Sequence, residues 1–481
     1  MQLRVIQRIL GILFMMHSVT MFPPILVAFI YGEGKWADFL ITFAVLFSMG
    51  IAIWWPVRRE RSDLHTRDGF FIVVMFWTVL GVIGAIPFMF DPHLNFTDAV
   101  FEAVSGFTTT GASVITNLDA LPKCILYYRQ QTTFIGGIGI VVLAVAILPM
   151  LGVGGMSLYR AETPGPMKDT KLTPRIVETA RAFSYTFIGL CAACALAFWA
   201  AGMTLFDAVG HSFAVLATAG FSTHSESFAY FKSPLIEVIA DIFMVLGAIN
   251  FSLHFLAWRG FNLRHYWQDT ELRVFLAALL ATVALYVAVL MWQSTYSDFW
   301  QALRYASFNV ISIFTTTGFT TTDFSVWPLF LPVLLMLIAF MGGCAGSTAG
   351  GLKMIRVILL YKQGVRETRR LAHPRGVFPV KVAGKVLPNT VIDAIWGFFS
   401  FYIIITLILT LIMMGTGLSA VTALSAVSAC LNNMGAALNE IGSTFEPVST
   451  FGKWVLVLAM LLGRLEIFAL LILFAPTFWR R

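Results

Sequence analysis

Read for the alternation of apolar and polar stretches, the 481-residue chain is a series of long apolar runs joined by short polar segments. A helix needs about 20 apolar residues to cross the hydrocarbon of a bilayer. Ten runs are long enough, near residues 5–30, 36–56, 69–90, 123–151, 180–201, 234–258, 273–293, 326–362, 391–415 and 452–475. Among the last eight lie four shorter apolar helices, near 98–107, 207–216, 302–314 and 419–431, too short to cross. Each ends in a polar turn built on glycine: Phe107-Thr108-Thr109-Thr110-Gly111-Ala112-Ser113, Ala217-Thr218-Ala219-Gly220-Phe221-Ser222, Phe314-Thr315-Thr316-Thr317-Gly318-Phe319-Thr320 and Leu431-Asn432-Asn433-Met434-Gly435-Ala436. Aligned on glycine, the turns share an alanine twelve positions upstream (Ala99, Ala208, Ala306, Ala423) and a small residue six upstream (Ser105, Ala214, Ser312, Ala429).

The expected fold is therefore an all-α polytopic membrane protein with four pseudo-symmetric helix–pore-loop–helix repeats behind two N-terminal spans. The boundaries fall at 1–67 for the N-terminal pair, then 68–175, 176–265, 266–385 and 386–481 for the repeats. Exposed backbone in lipid costs several kcal/mol per unpaired group, so the turns must be shielded by protein or line a watery cavity. Four of them with one topology most simply surround one pore.

Composition agrees: 58% hydrophobic, 12% charged and a mean hydropathy of +0.82 exclude an ordinary soluble enzyme. The net charge of +7 does not point to a nucleic acid, because the basic residues fall in short loops between apolar runs. Arg4, Arg8, Arg58, Arg59, Arg61, Arg67, Arg160, Lys168, Lys171, Arg175, Arg259, Arg264 and Arg273 share one side with Lys362, Arg366, Arg369, Arg370, Arg375, Lys381, Lys385, Arg480 and Arg481. Glu33, Asp38, Asp91, Asp119, Glu226, Asp323, Glu440 and Glu446 mark the other. The positive-inside rule then places both termini in the cytoplasm and opens all four turns to the outside. Cys191 and Cys194 have redox spacing but sit mid-span without a second pair, and read as packing residues. No cluster of Cys, His and Asp points to an enzyme.

Turns of this kind suit a dehydrated cation. Backbone carbonyls replace its water without formal charge, glycine reaches the positive φ that aims successive carbonyls one way, and the carbonyl ends of the short helices add partial negative charge. The candidate ion-binding residues are Thr108, Thr109, Thr110 and Gly111, Thr218, Ala219 and Gly220, Thr316, Thr317 and Gly318, and Asn433, Met434 and Gly435. Glu102 and His211, each nine positions before its glycine, are candidates for bracing the turns by hydrogen bonds, His211 reading as a satisfied packing residue and not as a ligand.

The eighth run is interrupted by Gly342, Gly343, Gly346, Gly350 and Gly351, followed by Lys353 and Arg356. It lacks the Lys-Ser/Thr of a phosphate-binding loop. Close helix packing through small residues and a flexible gate beneath the turns both remain open. Arg464 and Glu466 are charges inside the last run, where a charge faces a cavity or a partner. The alternatives are a barrier cation beside the pathway and a structural Arg464–Glu466 pair.

These motifs resemble the Trk/Ktr/HKT superfamily of potassium transporters, in its bacterial TrkH/TrkG branch. The likeness is carried by Thr108-Thr109-Thr110-Gly111-Ala112, Gly220-Phe221-Ser222-Thr223-His224, Thr317-Gly318-Phe319-Thr320-Thr321, Gly342-Gly343-Cys344-Ala345-Gly346-Ser347-Thr348, Asn432-Asn433-Met434-Gly435 and Gly463-Arg464-Leu465-Glu466-Ile467-Phe468, with Tyr159-Arg160-Ala161-Glu162-Thr163-Pro164-Gly165-Pro166 and Pro476-Thr477-Phe478-Trp479-Arg480. The resemblance implies potassium uptake across the bacterial inner membrane, K⁺ held at the four turns, and no organic cofactor in this chain. It makes residues 342–351 with Arg464 the gate. It also implies a homodimer on a cytosolic TrkA-type subunit binding NAD, ATP or ADP, contacted by the basic loops, notably 362–385. Coupling to H⁺ or Na⁺ and channel-like conduction both fit, and an alternating-access carrier of another small solute is the alternative. This branch is expected to carry Ile-Gly where this chain has Thr218-Ala219, Pro-Gly where it has Ala436-Ala437, and glycine at Ala349.

Overall fold

The computed structural model describes residues 2–60, 66–146, 172–260, 262–382 and 385–479. Arg61, Arg160, Lys168, Lys171, Arg480, Arg481, the 159–166 motif and the end of the run at 123–151 lie outside them. Among the described residues the regular structure is helical, apart from a two-stranded hairpin pairing Lys381–Val382 with Lys385–Val386. Six continuous spans are long and apolar enough to cross a membrane: Leu3–Ile30, Trp36–Val57, Asp68–Phe90, Glu178–Ala200, Thr270–Trp292 and Asn389–Gly415. This is a multi-pass membrane protein.

Two of the ten expected spans break where the sequence shows no interruption. The run at 234–258 is Pro234–Gly247 followed by Phe251–Gly260, bent by 98°, and the run at 452–475 is Thr450–Arg464 followed by Phe468–Phe474, bent by 108°. The glycine-rich eighth run breaks as expected, with helix at Leu331–Ala339 and again at Met354–Ala372. Lys123–Ala146, carrying Lys123 and Arg129, completes the set of long helices. Cys191 and Cys194 are buried and free within Leu172–Ala200, as packing residues should be.

The four short helices are Phe96–Phe107, Leu205–Leu216, Phe299–Phe314 and Ala420–Leu431. Each starts where a side chain replaces a missing intrahelical acceptor: Asn95 accepts from the Asp98 amide, Thr204 from Asp207, Asp298 from Trp300 and Gln301, and Ser419 from Thr422. The third helix begins a turn earlier than the others relative to its glycine. The alanines twelve positions before the glycines are all fully buried, at 0% exposure. The helix that follows each turn packs on the short helix of the next repeat: Lys123–Ala146 on Leu205–Leu216, Pro234–Gly247 on Phe299–Phe314, Leu331–Ala339 on Ala420–Leu431, and Thr450–Arg464 back on Phe96–Phe107. Head-to-tail packing of this kind closes the four repeats into a ring.

The two N-terminal helices, Leu3–Val19 and Trp36–Trp54, lie flush along one another. Their approach depends on two glycines. A Cβ at Gly11 would stand 2.8 Å from the Trp54 amide nitrogen and 2.9 Å from the Gly50 carbonyl, and one at Gly50 would stand 3.0 Å from the Gly11 carbonyl. Small residues at such a crossing let backbones meet where lipid offers no hydrophobic drive to bring them together. Substituting Gly50→Leu should push the helices apart and lower stability by about 1–3 kcal/mol, the usual cost of overpacking, read as an earlier thermal transition in detergent.

Candidate functional site

The four short helices stop in the same way. Two residues before each glycine the backbone turns left-handed, at Thr109 (φ 52°), Thr218 (47°), Thr316 (56°) and Asn433 (50°). The next amide folds back onto the last turn of helix: Thr110 N to Ser105 O (2.8 Å), Ala219 N to Ala214 O (2.8 Å), Thr317 N to Ser312 O (2.7 Å) and Met434 N to Ala429 O (2.8 Å). This six-residue closure is the Schellman pattern, and it explains the small residue six positions before each glycine. Glycine normally occupies the left-handed position. A β-branched threonine there is strained by on the order of 1–3 kcal/mol, a cost that only surrounding structure can hold.

The glycines then interlock around a circle. A Cβ on Gly111 would overlap the Ala219 carbonyl oxygen, one on Gly220 that of Thr317, one on Gly318 that of Met434, and one on Gly435 that of Thr110. Each glycine thus lies against the carbonyl that precedes the glycine of the next turn, in the order first, second, third, fourth, first. The glycines themselves have φ of 84°, 72°, 88° and 83°, so both conformation and space require glycine. All thirteen expected ion-site residues come together in this ring, with four helix C-termini directed to it. Further hydroxyl bonds tie it: Thr108 Oγ1 to Thr110 Oγ1 (2.7 Å), Thr315 Oγ1 to Thr317 Oγ1 (2.8 Å), and Asn433 Nδ2 donating across to Thr110 Oγ1 (3.0 Å).

Behind the ring, the side chain nine positions before glycine staples the outgoing limb of its own turn in three repeats. Glu102 accepts from Ser113 Oγ (3.1 Å) and Val114 N (3.0 Å), His211 Nε2 meets Ser222 Oγ (3.1 Å), and Asn309 Nδ2 donates to Thr321 Oγ1 (3.0 Å). In the fourth repeat Ala426 occupies that place and Ser425 Oγ accepts from Leu438 N instead (3.1 Å). Glu102 and His211 therefore hold the turns as the sequence predicts. Arg129, which pairs with Glu102, carries no signal of its own in the sequence, being one basic residue near the start of an apolar run.

Beneath the ring, residues 340–353 leave the helix entirely, which rules out small-residue helix packing for this stretch. Gly342, Gly346 and Gly351 adopt φ of 65°, 72° and 74°. The loop touches three of the four turns. Gly350 N donates to Thr316 Oγ1 (2.7 Å), Thr348 Oγ1 to Leu216 O (2.8 Å), and Gly350 has no room for a Cβ against the Asn432 carbonyl. It also bonds to the break in the 234–260 pair, through Cys344 N to Ala248 O (2.8 Å) and Phe251 N to Gly346 O (3.1 Å). Glu271, buried at the start of the preceding span, accepts from Ala345 N (2.8 Å) and Ile355 N (3.0 Å) and so clamps both limbs of the loop. The sequence reading overlooked it.

Arg464 reaches the same loop, donating through Nη1 to the Thr348 carbonyl (3.0 Å), while Nε and Nη2 have no hydrogen-bond partner among the described residues. The Arg464–Glu466 pair weighed as an alternative is not formed. A backbone reversal, with Glu466 at φ 51° and Ile467 at 54°, carries Glu466 to Arg356, 2.5 Å away. Lys353 donates to the loop carbonyl of Ala349.

On the outer side, His224 Nδ1 lies 2.7 Å from Asp119 and Nε2 lies 3.4 Å from Asp207, with its ring stacked on Tyr230 at 3.5 Å. Burial alone would lower the His224 pKa from 6.5, but the two carboxylates outweigh it and raise it. Burial likewise favours neutral Asp119, yet His224 and the Ser225 amide and hydroxyl hold its carboxyl below the usual range. The contact joins the segment after the first turn to the segment after the second.

Compared with known proteins, residues 35–481 match the model of a family described as TrkH, cation transport protein. The chain is 52% identical to the Trk system potassium uptake protein TrkH of Vibrio parahaemolyticus and 50% identical to that of Escherichia coli K12, with 100% of each chain covered in both cases. It is 41% identical to the Escherichia coli K12 protein TrkG over 99% of each chain. The crystal structure of the potassium transporter TrkH from Vibrio parahaemolyticus superimposes with a TM-score of 0.93 at 49% identity, covering 100% of both chains.

The His224 contact has a defined pH signature. Because the folded pKa is raised above 6.5, its stabilisation is complete below that value and is lost as pH rises through the folded pKa. Thermal stability measured from mildly acidic to alkaline pH should show a component that declines on the alkaline side, and His224→Gln should remove that component.

Proposed function

The chain belongs to the TrkH family of cation transport proteins, and we propose that it takes up potassium across the bacterial inner membrane through the ring of four glycine turns. The observation that carries this reading is the closed circle of glycine-on-carbonyl contacts from Gly111 through Gly220, Gly318 and Gly435 back to Thr110. A bare monovalent cation entering such a ring exchanges hydration water for carbonyl oxygens from Thr108, Thr109, Thr110, Thr218, Ala219, Thr316, Thr317, Asn433 and Met434. The C-termini of the short helices, each equivalent to about half a negative elementary charge, favour a cation and disfavour an anion at the same place. Close packing of the turns keeps the oxygens from collapsing onto a smaller ion. Sodium, whose dehydration is more costly, then gains less than potassium does.

Residues 342–351 form the gate in this reading. They stand under three of the turns, and their glycines supply the conformations that a loop needs to swing aside. Arg464 holds the gate shut through the Thr348 carbonyl and places a positive charge beside the ion path. In low dielectric that charge repels an approaching cation strongly. Lys353 and the helix Met354–Ala372 connect the loop to the basic segment 362–385. That segment is the surface on which a cytosolic TrkA-type nucleotide-binding subunit acts, with the chain as a homodimer and both termini in the cytoplasm. Four repeats of one sense, closing head to tail, suit a single central pathway better than the paired halves of an alternating-access carrier.

Expression in a bacterial strain lacking potassium uptake systems should restore growth on low potassium. Gly318→Ser should lower the preference for potassium over sodium, measured from reversal potentials in proteoliposomes, because a side chain there displaces the Met434 carbonyl. Unchanged ion preference would remove the ring from the pathway. Arg464→Ala should increase ion flux about tenfold, the equivalent of about 1.4 kcal/mol off the barrier, and wild-type flux would remove its part in closure.

A further inference from the structure

Glu102 and Arg129 form the most deeply buried ion pair among the described residues, with side-chain exposures of 0% and 2%. Removing two charges from water costs several kcal/mol per ion, and apolar residues of similar volume are commonly as stable. Stability alone therefore does not account for the pair. Its connections do. Glu102 rises from the first short helix and holds the outgoing limb of the first turn at Ser113 and Val114. Arg129, from the helix that follows, donates through Nε to Glu102 and through Nη1 to the Ser222 carbonyl (2.8 Å), and lies 3.7 Å from the centre of the Phe221 ring. Phe221 and Ser222 are the two residues directly after the second glycine. Gln130 fixes the same limb from the next position, donating to the Phe221 carbonyl (2.9 Å).

The other joints between turns hold no buried ion pair among the described residues. The second and third meet through the Thr320 amide and Ser227 Oγ (3.3 Å), the third and fourth through the Asn439 amide and Ser325 Oγ (3.2 Å), and the fourth and first through Asn433 Nδ2 and Thr110 Oγ1 (3.0 Å) and through the Phe445 amide (2.8 Å) and Thr444 Oγ1 (3.2 Å) on the Ser113 carbonyl. His211 and Asn309, which occupy the place of Glu102 in their repeats, hydrogen-bond only within those repeats, although the His211 ring also lies 6.1 Å from that of Phe319 after the third glycine.

We propose that Glu102 and Arg129 are specificity-determining positioning residues: their bond sets the separation of the first and second turns, and through it the discrimination among monovalent cations. The planar, forked guanidinium suits this task. It serves a carboxylate and a carbonyl at once along fixed directions, which an ammonium does not. Neither residue touches the ion; each acts through the backbone it holds. The inference rests on reading the four turns as the selectivity filter.

The test uses the full-length protein in liposomes under opposed potassium and sodium gradients, with Gly318→Ser on the third turn as the control for the filter reading. Arg129→Gln should reduce the preference for potassium over sodium about tenfold. Arg129→Lys should fall between this variant and the wild type despite keeping the charge. Glu102→Gln, which retains one acceptor oxygen, should shift preference in the same direction by less. If Arg129→Gln does not assemble, Arg129→Lys and Glu102→Gln carry the test. Lower thermal stability with unchanged ion preference would show a merely structural brace and overturn the proposal. If Gly318→Ser shifts preference and none of the pair variants does, the proposal fails while the filter stands; if Gly318→Ser also leaves preference unchanged, the filter reading fails with it.

Discussion

Backbone amides and carbonyls released from a helix inside a bilayer have no water to bond, and this demand shapes the whole molecule. Each short helix meets it by folding the amide after its left-handed residue onto the carbonyl five residues earlier, so that the chain turns without leaving an orphan donor. The glycines one step later bring four such turns into mutual contact, where the backbone of one fills the space left by the absent side chain of another. Four strained residues, Thr109, Thr218, Thr316 and Asn433, persist because every neighbour around them is already committed. A ring built in this way is stiff, since no single turn can relax without displacing the next.

The fourfold pattern belongs to the backbone and not to the side chains behind it. Ends, caps and left-handed residues repeat closely, whereas the braces are a carboxylate, an imidazole, an amide and a serine hydroxyl in the four repeats. Backbone closure is the shared requirement, and any polar group that reaches the outgoing limb satisfies it. The loop below breaks the symmetry further. It engages the second, third and fourth turns but stems from the third repeat alone, so a single, one-sided element lies beneath the fourfold frame.

Much of this was legible in the sequence because glycine and small residues report local backbone needs. The four turns, their register, the interruption at 342–351 and the family resemblance all came from such residues. The bends at 248–250 and 465–467 were not legible. Neither site carries glycine or proline within the bend, and each bend depends on partners distant in sequence, such as the Cys344 amide on the Ala248 carbonyl. Arg129 and Glu271 escaped for a related reason: a lone charge near the end of an apolar run reads as a boundary residue, and only the fold shows it buried against backbone. Of the two alternatives for Arg464, the pair with Glu466 rested on proximity along the chain, and two left-handed residues turn Glu466 toward Arg356 instead.

The interlocked breaks at 248–250 and 344–346 have a mechanical meaning. Two non-helical segments joined by paired amide–carbonyl bonds in both directions, Cys344 to Ala248 and Phe251 to Gly346, behave as a hinge with two leaves. Met354–Ala372 is connected to the central ring through Gly350 and Thr316 and, by way of the paired bonds, to Phe251–Gly260, which lies nearly at right angles to its own leading helix. The second and third quarters of the ring are thereby joined through backbone bonds, and a shift of either leaf carries the other with it.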